Sequence, residues 1–326
     1  MRSALLSQKF HTSAAAAIMI AVAALYVLAT GGLSSPLPQQ PGQGLCLPPV
    51  STWNLGYWGG LAANVVLNAA IMAMMIVINK TYNVLRAVTR MQVGLFAIMQ
   101  AAVPSVVVTL NSGTLVALTI LCCIYLMFSC YDSPGYVKRV FLTFMLLSLG
   151  ATVQYCFVLF IPVFWVICAQ MRILRPRTFV ASLLGIITVW WLLFGFGIIM
   201  PTDVHVPVVT RITEPLDLSS AIYLLIVTGF TAFVLVASVG LNVLKTIAYN
   251  ARARSYNGAL TLIALVTILA MLFDYNNLVA YLPLLNVCAA YQLTHYFVRH
   301  RFDRQYAAVL SVCAVYIMLY LWRVAL

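Results

Sequence analysis

The chain alternates long apolar runs with short polar breaks. Runs of about 17 to 25 residues match a hydrocarbon core roughly 30 Å thick. Lipid offers backbone groups no hydrogen-bonding partner, so each such run is expected to be helical. They fall at Ala14 to Thr30, about Leu55 to Asn79, Met91 to Leu110, Thr114 to Tyr131, Phe179 to Met200, Ala221 to Leu244, Gly258 to Phe273, Leu278 to Phe297 and Ala307 to Val324. Pro104 is expected to kink the third run.

Two further runs, Val140 to Gly150 and Tyr155 to Gln170, lie between Arg139 and Arg177, hinged at Ala151-Thr152-Val153-Gln154. Clustered cations flank both ends of the pair, so the segment is expected to enter the membrane and return as a hairpin. Its first arm, of about 12 residues and about 18 Å, is too short to cross alone. Either that arm is re-entrant, with Gln154 facing a cavity, or the hinge lies buried among other helices. The expected fold is an all-α, polytopic bundle of about eleven spans forming a single transmembrane domain over residues 1–326, without repeats or a separate soluble domain.

Composition agrees with that class. With 64% hydrophobic and 7% charged residues and a mean hydropathy of +1.02, a soluble domain could not cover its surface with polar groups. A net charge of +12 would point a soluble chain toward nucleic acid. Here the cations sit in short clusters between apolar runs, which is an orientation signal and implies no nucleic-acid partner. With the N-terminus inside and eleven crossings, all of the 18 Lys and Arg residues fall inside except Arg211 and Arg323. One long helix in place of the hairpin would reverse every later loop, so the charges of the second half support the hairpin and an external C-terminus. Seven of the eight cysteines lie in or beside apolar runs as packing residues, and Cys46, in the uncharged loop of residues 31 to 54, is expected to be a free thiol. No spacing matches a metal site, and no cofactor is implied.

Candidate chemistry gathers on the expected external face. Asp203, His205, Arg211, Glu214 and Asp217 share one polar loop, and Asp274, Asn276 and Asn277 share another. If the loops converge they could hold a polar headgroup, a sugar or a cation; otherwise they are solvated. Asp274, at the end of a span, is the acidic position to test first. Within the spans, Asn64, Asn68, Gln100, Gln154, Asn242, Asn286, Gln292 and His295 either line a cavity or bond neighbouring helices. Asn64 and Asn68 share a helix face at i, i+4 spacing, and a groove shared with Gln154 would make them a site. The basic loops could attract anionic lipid headgroups, although orientation alone accounts for them.

From the Asn111-Ser112-Gly113 turn through the basic loop at Lys138 and Arg139, the Phe160-Ile161-Pro162 segment and the Arg172, Arg175, Arg177 cluster to Gly185, the text resembles an uncharacterised polytopic inner-membrane family of Bacteroidetes. The resemblance covers under a third of the chain. It implies a Gram-negative bacterial inner-membrane protein and carries no established activity. The layout is also similar to polyprenyl-phosphate-sugar-dependent glycosyltransferases and to O-antigen polymerases, which implies handling of a lipid-linked glycan at the external face. Those transferases place a catalytic carboxylate in the first external loop. Residues 31 to 54 contain no Asp or Glu, so no catalytic residue carries over. Three classes follow: lipid-linked glycan handling, with membrane lipids and a polyprenyl-linked glycan as partners; a transporter or channel using the intramembrane amides; and a non-catalytic scaffold among other envelope proteins. Scarce charge within the spans argues against ion-coupled transport.

Overall fold

The computed structural model describes residues 44–48, 50, 53, 55–86, 89–131, 133, 135–200, 202, 204, 218–246, 250–298 and 302–325. Among them the chain forms helices and no strand. The helices are α1 (Gly56–Tyr82), α2 (Met91–Ala101), α3 (Pro104–Val108), α4 (Ser112–Ser129), α5 (Tyr136–Val153), α6 (Cys156–Gln170), α7 (Pro176–Gly195), α8 (Leu218–Thr246), α9 (Ala251–Phe273), α10 (Leu278–Val298) and α11 (Phe302–Ala325). Six, namely α1, α4, α5, α7, α8 and α9, are long and apolar enough to cross a membrane. The expected run Ala14 to Thr30, and the loop residues Asp203, His205, Arg211, Glu214 and Asp217, lie outside the described residues.

Helix α10 is the axis of the bundle. Every residue from Ala280 to His295 is buried, because α2, α4, α8 and α9 all pack against it. A helix ringed by protein meets no lipid, so it can carry Asn286, Gln292 and Thr294 wherever its neighbours supply partners. Close approach of α4 is set by Gly113, where a Cβ would lie 2.2 Å from the Val279 carbonyl oxygen.

The run Met91 to Leu110 breaks instead of kinking. Helix α2 has 11 residues, α3 has 5, and Val103 between them leaves the helical region at φ −118°, ψ 83°. Pro104 lacks an N–H and pushes the preceding residue out of the helical region. The carbonyls set free find donors. The Tyr223 hydroxyl donates to the Ala102 carbonyl, Asn64 Nδ2 donates to the Val106 and Val107 carbonyls, each at 2.7 Å, and Asn111 Nδ2 also reaches the Val106 carbonyl at 2.7 Å. Non-helical backbone at membrane depth persists only where it is satisfied in this way.

In the hairpin, the expected short first arm is corrected. Helix α5 has 18 residues, roughly 27 Å at 1.5 Å per residue. It begins at Tyr136, so Lys138 and Arg139 belong to its first turn. The shorter arm is α6, with 15 residues and Pro162 inside it. The chain reverses at Gln154, which is extended at φ −144°, ψ 119°. Gly150 makes room there for the Phe157 ring, which a Cβ would approach to 2.7 Å. Helix α9 likewise starts earlier than expected, at Ala251, and takes Arg252 and Arg254 into its first turn.

Candidate functional site

At the apex of the hairpin sits Asp274, the C-cap of α9, only 4% exposed. Its Oδ2 accepts from the hydroxyl of Tyr155, from the hydroxyl of Tyr281 at 3.1 Å and from Asn277 Nδ2 at 3.4 Å. Asn277 Nδ2 also lies 3.5 Å from Cys156 Sγ, which accepts from Gln154 Nε2 at 3.3 Å. Asn276 occupies the middle of the 3-10 turn Tyr155 faces, Tyr275–Asn277. The loop at residues 44–48 lies on the same apex, where the backbone N–H groups of Cys46 and Leu47 donate to the Thr152 carbonyl at 3.2 and 3.0 Å. Residues 44–48 and the Asp274 turn thus both meet the hairpin apex beside Gln154, while the expected meeting of the Asp274 loop with the loop of Asp203, His205, Arg211, Glu214 and Asp217 falls outside the described residues. A buried carboxylate ringed by donors is satisfied where it stands, so the cluster acts as a tie joining the hairpin to α9 and α10.

The intramembrane amides are joined in a different place. Thr114 Oγ1 donates to Asn64 Oδ1 at 2.9 Å, and Asn68 Nδ2 donates to the Asn64 carbonyl at 2.9 Å. Gln100 Nε2 reaches Asn68 Oδ1 at 3.3 Å, and Asn286 Nδ2 reaches Gln100 Oε1 at 2.8 Å. A second group links α8, α9 and α10: Asn242 Nδ2 donates to Gln292 Oε1 at 3.0 Å, and Gln292 Nε2 donates to Asn257 Oδ1 at 3.2 Å. His295 is buried on the same helix. Apart from the Asn68–Asn64 bond inside α1, these are bonds between helices. Asn64 and Asn68 take their partners from α1, α2, α3 and α4, whereas Gln154 donates to Cys156 at the hairpin apex.

The open site is at the other end of the hairpin. A cleft of about 750 Å³ is lined by Tyr131, Tyr136, Arg172, Arg175, Arg254 and Ser255, among others. Three helices begin at its wall: Tyr136 is the first residue of α5, Arg175 is the N-cap of α7, and Ala251 is the first residue of α9. Each N-terminus carries the equivalent of about half a positive charge and favours an anion. None of these first turns contains an acidic residue; they contain Lys138, Arg139, Arg177, Arg252 and Arg254 instead. The segments 130–139, 170–177 and 250–256 together hold one acid, Asp132. Orientation explains why cations lie on this side of the bundle. It does not explain their placement on helix N-termini, where each opposes the dipole by roughly 0.3–1 kcal/mol.

Two further arginines contact residues of the lining, Ser133 and Tyr131. The Arg139 guanidinium donates to the Ser129 carbonyl and, at 3.1 Å, to Ser133 Oγ. Arg252 Nε donates to the Tyr256 hydroxyl at 2.9 Å, and its guanidinium lies over the rings of Tyr131 and Tyr256 at 5.7 and 5.6 Å. Arg172, Arg175 and Arg254 are exposed and line the opening. In its wall, burial pushes the Cys130 thiol up to about 11 in spite of the Arg139 guanidinium nearby.

Arg172 stands in an unusual backbone state. Helix α6 ends in a turn in which the Ile173 N–H donates to the Cys168 carbonyl and the Arg172 N–H to the Ala169 carbonyl, both at 3.0 Å. This turn requires a left-handed residue, usually glycine, at the position Arg172 fills, and Arg172 adopts φ 58°. A side chain there costs roughly 1–2 kcal/mol. The dipole of α6 returns at most about 1 kcal/mol to a cation at its C-terminus.

An opening of this size falls in the range of ligand sites, roughly 300–1,000 Å³. Its exposed guanidiniums and helix N-termini suit phosphate oxygens; its serines and tyrosines suit a neutral polar group attached to them. In the sequence the basic residues are accounted for by orientation, with attraction of anionic lipid headgroups as the further role their clustering allows. Their position at helix starts, where acidic residues are normal, was the signal that distinguishes them. Tyr155 and Tyr281 carried no such mark, since only the fold brings them to Asp274. Among the described residues no group of His, Cys, Asp and Glu could hold a metal ion. No protein-family model, curated protein or solved structure matches the chain.

Proposed function

We propose that this chain is a multi-pass protein of the bacterial inner membrane that binds the phosphate-bearing headgroup of a membrane lipid at its cytoplasmic face, in the service of lipid-linked glycan handling. The carrying observation is the basic cleft, where three exposed arginines and three helix N-termini surround a space larger than a lone phosphate needs. This moves the binding role from the external end, where Asp274 is already engaged as a tie, to the basic end. Lipid mass spectrometry on the purified protein tests it. A phosphate-bearing lipid is expected to copurify with the wild type and to be lost from an Arg175→Ala/Arg254→Ala double variant. Equal retention by the variant, or no such lipid on either protein, overturns the reading.

A second reading has one observation behind it: the break between α2 and α3, next to the chain of amides from Asn68 through Gln100 to Asn286, resembles the discontinuous helices of transporters. Solute uptake by proteoliposomes that Gln100→Leu abolishes would favour it over headgroup binding.

A further inference from the structure

We propose that Arg172 is the specificity-determining residue of the basic cleft, the guanidinium that grips the phosphate of whatever headgroup enters it. The inference rests on the cleft being the binding site. Two features single this arginine out. Its backbone is left-handed (φ 58°) at the closing position of the α6 turn, a position where glycine would close the same turn without the crowding a Cβ introduces. An arginine held there against that preference has its value in the side chain, which is exposed and lines the opening. The turn is also held firmly in place. The Gln170 side chain lies so close to Gly258 on α9 that a Cβ there would come within 2.9 Å of Nε2, and Ser255 Oγ, whose proton goes to the Ala251 carbonyl at 3.0 Å, lies 3.5 Å from the Gln170 carbonyl. Helix α9 thus packs against the end of α6 at Gln170, two residues before Arg172, and a guanidinium projected from a packed base meets a phosphate with little reorganisation. Its planar fork matches two phosphate oxygens at once, which an ammonium cannot do.

Arg172→Gly is the decisive variant because it removes the side chain while relieving the backbone. The full chain in phosphatidylcholine nanodiscs is titrated with inorganic diphosphate, and in parallel the nanodiscs are doped with phosphatidic acid, so that a free phosphate and a lipid headgroup are separate arms. Arg172→Gly is expected to weaken binding about tenfold to a hundredfold in whichever arm the wild type responds to, with no fall in melting temperature. Arg172→Lys is expected to stay at least several-fold weaker than wild type. Arg86→Gly is the control: Arg86 shares the left-handed backbone at φ 55° without lining the cleft, and binding should not change. If Arg172→Gly binds within twofold of wild type while Arg175→Ala/Arg254→Ala is strongly impaired, the assignment of Arg172 fails and the cleft stands. If wild type binds neither probe, or no cleft variant alters binding, the cleft itself fails and takes this inference with it.

Discussion

The two ends of the α5–α6 hairpin are built from similar materials and end in opposite states. At the apex one carboxylate meets three donors, and Asp274, Tyr155, Asn277 and Tyr281 are all buried around it. At the basic end several cations meet three helix N-termini and no described acid, and the arginines at the rim stay exposed around an open cleft. Inside a bundle, a polar group surrounded by partners holds helices together; a polar group left unbalanced at an opening can still exchange partners with a ligand. The balance of charge and donors, more than the presence of polar residues, separates a structural cluster from a candidate site here.

The comparison breaks first at Asp274. Asp274→Ala leaves the Tyr155 and Tyr281 hydroxyls and the Asn277 amide without their shared acceptor in a buried setting, and is expected to cost about 3 kcal/mol. The readout is thermal unfolding of the full chain in detergent or nanodiscs. Binding at the cleft by the folded fraction should be unchanged, because the cluster lies at the far end of α5 and α6. A variant that kept wild-type stability but lost ligand binding would reverse the roles assigned to the two ends.

That contrast was only half visible in the sequence. Apolar run lengths made the helical class legible, and flanking cations made the hairpin legible, because both depend on local composition and on the energetics of crossing lipid. Helix ends were not. Lys138, Arg139, Arg252 and Arg254 read as loop residues, yet α5 and α9 begin before them, and this shift turns loop charges into charges on helix N-termini. The break before Pro104 was underestimated for a similar reason: it depends on Tyr223, Asn64 and Asn111 arriving from elsewhere to satisfy the freed carbonyls. Asp274 was legible as a candidate, but its three partners come from three elements, so its role as a tie required the fold. Asn64 and Asn68 showed their shared face at i, i+4, whereas the helix opposite that face could not be inferred from spacing.

The open end should respond with the opposite sign. Arg175→Ala/Arg254→Ala removes two exposed cations from helix N-termini, where each is disfavoured by the dipole. Stability is therefore expected to hold or to rise, by up to about 1 kcal/mol, even as lipid binding is lost. Unfolding curves for the double variant beside those for Asp274→Ala would show whether the two ends separate in this way. A loss of more than about 2 kcal/mol in the double variant would mean that Arg175 and Arg254 hold the fold together like the apex cluster.

The smallest effect concerns how deep the open end reaches. Cys130 lies in the wall of the cleft, its side chain is buried, and its thiol donates to the Leu126 carbonyl at 3.2 Å. A cation-rich site would ordinarily favour the thiolate, but burial prevails and holds the thiol up at about 11. Because a buried, protonated thiol is a poor nucleophile, alkylation by N-ethylmaleimide, followed peptide by peptide by mass spectrometry, should be much slower at pH 7.5 than for an exposed thiol and should rise with pH, since only the thiolate reacts. Ordinary reactivity at neutral pH would show that water and positive potential extend below the rim, and the boundary between open and closed regions would then fall within α4, past Cys130 at its C-terminal end.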